Sequence, residues 1–400
     1  MNVFRGSKRK MILIIAAVIM VMAIIFFVWK GKKAGEPAEI QNNAQNGAGG
    51  GFSEYGIGGD REYPEGIIVL EPGDDYNVML SDRGLLSSEG SLSAVGGALN
   101  PTEGAAAVSA KESASTTTVL VYCIGSDLES ENGCATADLR EMIESGIGKA
   151  KNVNLIIQTG GTKTWKNNAV SAGRLERFRI LRDGMYLLED AEQKSMVDPD
   201  TLSEFISWGA DKFPADRMCM IIWGRGGGAV SGIGGDEFHE GSLKLTDIDA
   251  AFTKAGVHFD FVGFDASLMG TVETAYMLRS HADNMIASQE AEPGGGWYYT
   301  GWLRLLAADP AIGTDILAKQ LADDMVRYSA TCGQAASLSA VRLDRIQGVY
   351  SQICSFLANV KTAAAGSDFA RIANALSGSG ISGDGLYDQT DIVEFALNTG

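Results

Sequence analysis

Residues 217–228, RMCMIIWGRGGG, and residues 259–270, FDFVGFDASLMG, share one plan. Each begins with a short run that is apolar at nearly every position, Met218 to Trp223 and Phe259 to Phe264, and then breaks into small and polar residues. A strand with one wet face alternates apolar and polar side chains, whereas a run this apolar suits a strand covered on both faces. Further strand candidates are Thr118 to Ile124, Asn154 to Gln158, Met285 to Ser288 and Leu338 to Leu343, with amphipathic helical stretches between them. That alternation predicts an α/β domain whose mostly parallel sheet is flanked by helices. A hairpin is expected from Arg177 to Arg182, through Asp183-Gly184, to Met185 to Leu188, because Asp-Gly suits a tight turn with positive φ. Asp198 then caps and Pro199 opens a helix that buries Leu202, Phe205 and Ile206 and stops before Pro214.

The chain has 400 residues, 45% hydrophobic and 21% charged, enough for a sizeable core. Of its 33 basic residues seven lie in residues 1–33, which hold no acid, so residues 34–400 set 26 basic against 50 acidic side chains. A surface this acidic repels phosphate backbones and argues against nucleic acid as a partner. The cysteines, Cys123, Cys134, Cys219, Cys332 and Cys354, contain no C-x-x-C pair, which argues against a disulfide framework or zinc ribbon, and most of them read as small buried hydrophobes.

Met11 to Trp29 is an uninterrupted apolar run of 19 residues. As a helix it would be about 28 Å long, matching a bilayer core. It ends in bulky Phe26, Phe27, Val28 and Trp29 rather than a small-residue cleavage site, so it reads as an uncleaved signal anchor. Basic residues flank it on both sides, and the expected arrangement is a single-pass cell-membrane protein with residues 1–33 as cytoplasmic stub and anchor and the C-terminal domain extracytoplasmic. Residues 34–116 are rich in Gly, Ser, Ala, Asn and Glu without periodicity and read as a flexible tether. Residues 117–400 are the expected folded domain.

In an open α/β sheet the working residues lie beyond the carboxyl ends of the strands. Four segments occupy such places: Gly125-Ser126-Asp127-Leu128-Glu129, Trp223-Gly224-Arg225-Gly226-Gly227-Gly228, Asp265-Ala266-Ser267-Leu268-Met269-Gly270, and 289–297, QEAEPGGGW. The string 224–229, GRGGGA, fits a dinucleotide fingerprint, but no helix is expected to open there to face a pyrophosphate. Asp236, Glu237 and Glu240 lack the spacing of a calcium loop and read as a solvated acidic loop, so neither metal nor cofactor is expected. Of the three histidines, only His239, in the loop after the glycines, could approach the strand ends; His258 and His281 belong to the opposite end of the sheet.

These segments, in this order, resemble the clostripain family of cysteine peptidases (peptidase C11), from about Thr117 to Phe395. The resemblance implies a caspase-like fold. The family has Trp-x-His-Gly-Gly after one strand and Phe-Asp-Ala-Cys-Leu-Met-Gly after the next, giving a His and Cys dyad. Here Arg225 stands at the His position, before Gly226 and Gly227, and Ser267 stands at the Cys position. The segments 126–130, SDLES, 288–297, SQEAEPGGGW, and 386–396, LYDQTDIVEFA, are also similar to the family pattern.

Amide cleavage needs a thiolate, or a hydroxyl with a base in reach, and then an acid for the leaving amine. A guanidinium keeps its proton and has no acceptor, so Ser267 beside Arg225 remains a neutral alcohol. The family position of Asp265 implies a pocket floor for a basic side chain, with Glu292 and Trp297 as further substrate-binding candidates and Trp297, Tyr298 and Tyr299 as an aromatic wall or simple packing. Asp265 could instead pair with Arg225 or cap the following helix. The expectation is a pseudopeptidase that binds a peptide or protein partner. Alternatives are an active hydrolase using Ser267 with another base, cleaving after Arg or Lys, and a structural surface protein. Family enzymes are commonly split between the dyad positions. Here that region holds only Lys244 and Lys254, and a single chain is expected.

Overall fold

The computed structural model describes residues 115–182, 184–331, 333–383 and 388–399, with the backbone of Phe26 and Phe27. The anchor expected at 11–29 lies outside the described residues except at Phe26–Phe27, which form not a helix but a short strand antiparallel to Ala340 and Val341. The tether also lies outside them up to residue 114; Thr116, assigned to it, is tied by its N–H to Asp216 Oδ2 at 2.9 Å. Among the described residues no helix is long and apolar enough to cross a membrane.

The main sheet is built from β1 (Thr117–Ile124), β2 (Val153–Gly160), β3 (Arg174–Leu181), β4 (Gly184–Glu192), β5 (Arg217–Trp223), β6 (Phe259–Asp265), β7 (Ala282–Ala287) and β8 (Ser339–Arg342). Their spatial order is β8-β7-β6-β5-β1-β2-β3-β4, with Phe26–Phe27 outside β8. The central pairs β7-β6, β6-β5, β5-β1 and β1-β2 are parallel, and the flanks are antiparallel. The order reverses at β1, so β1, β5 and β6 end together at the crevice where α/β folds place their ligands. The expected α/β class and every expected strand are present, within a few residues of their sequence bounds. The hairpin is longer than its Asp-Gly turn suggested, and Asp183 lies outside the described residues.

Alternate residues of the central strands serve opposite faces. Val119, Val121, Cys123, Ile221 and Phe261 pack with helices α2 (Cys134–Glu144), α6 (Tyr299–Ala308) and α7 (Thr314–Thr331). Leu120, Tyr122, Ile222, Val262 and Phe264 pack with α3 (Pro199–Lys212), α4 (Leu245–Ala255), α5 (Val272–Leu278) and α8 (Ile346–Ala364). Burial on both faces is why these strands are continuously apolar. The α3 start is as its sequence reads: Asp198 Oδ1 accepts the Asp200 N–H at 2.8 Å with Pro199 at the first helical position.

Candidate active site

β5 and β6 lie side by side with Trp223 opposite Asp265, which brings the two glycine-bounded tips together. Gly226 backs directly onto Ser267: a Cβ at Gly226 would lie 2.0 Å from the Ser267 carbonyl oxygen. Gly224 N–H also donates to Asp265 O at 3.2 Å. The sequence positions of the expected dyad, Arg225 and Ser267, are thus neighbours in space.

Their side chains point to different partners. The Arg225 guanidinium forms a two-pronged ion pair with Asp127, in the loop after β1: Nε donates to Oδ1, and Nη2 donates to Oδ2 at 2.6 Å. Partial burial works to raise the Asp127 carboxyl, but the bonds and charge of Arg225 outweigh it and hold it below the ordinary range. The Ser267 hydroxyl oxygen accepts the Glu292 N–H at 2.9 Å. Leu268, at φ 68, makes the turn after Ser267, and its N–H donates to Glu290 O at 3.0 Å. Gln389 Nε2 donates to Leu268 O at 3.2 Å, and a Cβ at Gly228 would lie 1.7 Å from it, so the C-terminal segment rests on both tips.

Asp265 neither pairs with Arg225 nor caps a helix. It is 4% exposed; its Oδ1 accepts the Trp297 N–H at 3.2 Å and its Oδ2 the Tyr299 hydroxyl at 2.8 Å. The Glu292 carboxyl is hydrogen-bonded to it as well. Burial pushes Asp265 up to about 7, and burial together with the charge of Asp265 pushes Glu292 well above the carboxylate range. Behind them Asp138 accepts the Trp223 indole N–H at 2.7 Å and is raised by burial and by Asp265 and Glu141. A carboxylate is an acceptor only, so an Asp–Glu hydrogen bond requires one of the pair to hold a proton.

Trp297 is not part of an exposed aromatic wall. It is 1% exposed, its ring lies under Gly263, and its Nε1–H donates to Glu292 Oε1 at 3.4 Å. Tyr299 is equally buried. The glycines 294–296 let this segment fold back into the sheet, with Gly296 at φ +55 against Asp265.

Of the acidic loop, Glu240 is exposed as expected, whereas Asp236 and Glu237 are built in rather than solvated. Asp236 accepts the N–H groups of Met196, Phe238 and His239, and Glu237 accepts from Ser130, Thr162 and Lys163. Asp236 and Glu237 lie against Gly161, just past the end of β2, and the His239 ring is held on Asp236 at 3.3 Å. Three strand spacings, roughly 14 Å, separate β2 from β6. The other imidazoles bond to Asp283 and Asp249. Among the described residues, none is bonded to Ser267. Neither Cys134 nor Cys123 supplies a replacement thiolate, since burial pushes Cys134, beside Arg225, up to about 12 and Cys123 well above its usual value. Both are free thiols.

The sequence reading missed Asp127 as the partner of Arg225, Tyr299 and Asp138 as neighbours of Asp265, and Gln389. The location of Asp127 directly after an apolar strand was its one available signal.

The sequence profile of the clostripain family matches residues 121–391. Clostripain from Hathewaya histolytica is 26% identical in an alignment of 217 positions that covers 46% of this chain and 40% of that protein, so the chain spans under half the length of this curated relative. A secreted C11 cysteine protease from Bacteroides thetaiotaomicron, solved with an irreversible peptide inhibitor, is similar at 24% identity and a TM-score of 0.48, covering 58% of this chain and 67% of that one. An inactive zymogen C11 protease from Parabacteroides distasonis is similar at 23% and 0.47, covering 60% and 65%. With a family match that takes in all of β2 to β8 and both strand tips, this chain belongs to the clostripain family.

Proposed function

We propose that this chain is a pseudopeptidase of the clostripain family that binds a peptide or protein partner at the β5–β6 cleft without cleaving it. The bonding of Ser267 carries this reading: its hydroxyl accepts an amide N–H, and the adjacent cation is fixed on Asp127. Neither can take the hydroxyl proton as the oxygen attacks an amide, and a guanidinium that holds its proton is no acid for the leaving amine. Losing one member of a nucleophile and base unit already removes most of its rate, so two substitutions are not needed to silence it.

Asp265 supports a basic side chain as the feature recognised, because a buried carboxyl that lacks a cationic partner among the described residues is a strong site for one. Met11–Trp29 would place the domain at the cell membrane, on the extracytoplasmic side. A 19-residue apolar run is long enough, as a helix, to cross a bilayer core. Without an active dyad the chain is expected to stay in one piece.

The test is to incubate the full chain in detergent with peptides containing one Arg or Lys and follow both binding and peptide mass. Retention of intact peptide, lost on competition with free arginine amide, is expected. Cleavage that disappears in Ser267→Ala would overturn the reading.

A further inference from the structure

The segment 291–296, AEPGGG, covers Asp265. Glu292 is bonded at both ends, its N–H to the Ser267 hydroxyl and its carboxyl to Asp265 and to the Trp297 indole. Gly296 closes over the Asp265 carboxyl so tightly that a Cβ there would lie 2.8 Å from Oδ1. On the outer side, nothing approaches within 4 Å of a Cβ at Gly294, and the three atoms nearest to a Cβ at Gly295 all belong to the Tyr328 side chain. The segment is thus held at its inner end by a carboxyl pair and carries three glycines as a ready hinge.

We propose that residues 291–296 form a proton-held plug over Asp265, which swings out on its glycines when the Asp265–Glu292 pair gives up its shared proton or when a cationic side chain takes that proton's place. The inference rests on the proposed basic-side-chain pocket for its second trigger only. Two ionised carboxylates in contact repel, and among the described residues no cation acts on either. The groups facing the pair are Asp138 and Glu141 from α2, with Glu129 from the preceding helix (Ser126–Asn132) behind them, Cys123 from β1, the Cys134 thiol, and the Tyr299 hydroxyl. All of these are neutral or acidic. Arg225, whose charge reaches the Cys134 thiol, is already held by Asp127. Among the described residues no lysine or arginine bonds to Asp265 or Glu292. Among the described residues a proton is therefore the counter-charge of the closed pair, and an entering guanidinium or ammonium would replace it one for one. Cation binding and proton release are then linked, so affinity rises up to tenfold per pH unit while the pair is still protonated, and levels off above.

Hydrogen exchange of the full chain in detergent tests this, comparing pH 6.5 with pH 8.5 after correction for the intrinsic pH dependence of exchange. The Glu292 amide is expected to lose at least tenfold in protection at the higher pH. In Glu292→Gln the amide can donate to the Asp265 carboxylate at any pH, so protection should stay constant. Equal protection of the original chain at both pH values, or a variant that loses protection alongside it, would overturn the plug. Agmatine, added as a cation probe, is expected to lower the same protection and to bind more tightly at pH 8.5. Failure of agmatine to bind at either pH would overturn the cation trigger and the basic pocket, and would leave the proton-held plug to stand on the exchange data.

Discussion

Replacing Tyr299 by Phe removes one oxygen from a buried site and leaves the ring. The ring is packed 6.4 Å from Trp297 and 6.0 Å from Trp302, centroid to centroid, and those contacts survive the change. What is lost is the 2.8 Å bond from the hydroxyl to Asp265 Oδ2. A neutral hydrogen bond contributes about 1 kcal/mol net, and one to a charged acceptor about 1.5–3 kcal/mol. The cost therefore depends on whether Asp265 is ionised. Burial raises Asp265 to about 7, while the Tyr299 bond works the other way by favouring the charged form. At pH 5.5 the acid is neutral and the variant should lose about 1 kcal/mol; at pH 8.5 the loss should reach about 2–3 kcal/mol. The sign follows from proton counts, because without the hydroxyl the folded variant keeps its proton to higher pH, and stability falls with pH wherever the folded state binds more protons. Urea denaturation of both proteins at the two pH values reads the difference directly. A loss of equal size at both, or no loss at all, would refute the placement of this hydroxyl on an acid that titrates near neutrality.

Gly226→Ala would set a methyl 2.0 Å from the Ser267 carbonyl, a backbone atom that cannot turn aside. A loss of about 2–3 kcal/mol is expected from such overpacking, against less than about 0.5 kcal/mol for Gly294→Ala, which meets open space. Equal melting points for the two variants would contradict the contact between the tips. Asp138, Asp265 and Glu292 are all raised above their ordinary carboxylate values, so the folded chain holds protons that the unfolded chain has released between about pH 4 and 7. Stability should fall as pH rises through that window, with a higher melting temperature at pH 5 than at pH 7.5; the reverse order would sink the assignment. Asp127 acts in the opposite sense, and its contribution fades as pH falls below about 4. Arg225→His combined with Ser267→Cys is expected to restore measurable cleavage of peptides after Arg or Lys. A complete lack of recovery would mean that the pocket, and not only the dyad, has changed.

Much of the frame could be read from residue order. Apolar runs such as 218–223 and 259–264 fit only a sheet covered on both faces, and the glycines after them mark close approaches. The adjacency of Arg225 and Ser267 follows from that pattern. The partner of Arg225 does not, because it depends on β1 lying beside β5, a matter of strand order. The fate of Asp265 was also hidden. Its neighbours Trp297 and Glu292 come from a segment with no periodicity, whose three glycines permit many paths, and only packing chooses the one that turns Trp297 inward. Asp236 and Glu237 looked solvated because a single sequence does not reveal that Met196 and Thr162 bring N–H and hydroxyl donors to them.

The state of the Ser267 hydroxyl can be tested without a substrate. A fluorophosphonate carrying a basic group forms a covalent adduct with a serine only where a base draws off its proton. Intact-mass measurement of the full chain after prolonged exposure at pH 7.5 should find Ser267 unmodified. A single stoichiometric adduct mapped to Ser267 and absent in Ser267→Ala would contradict the account.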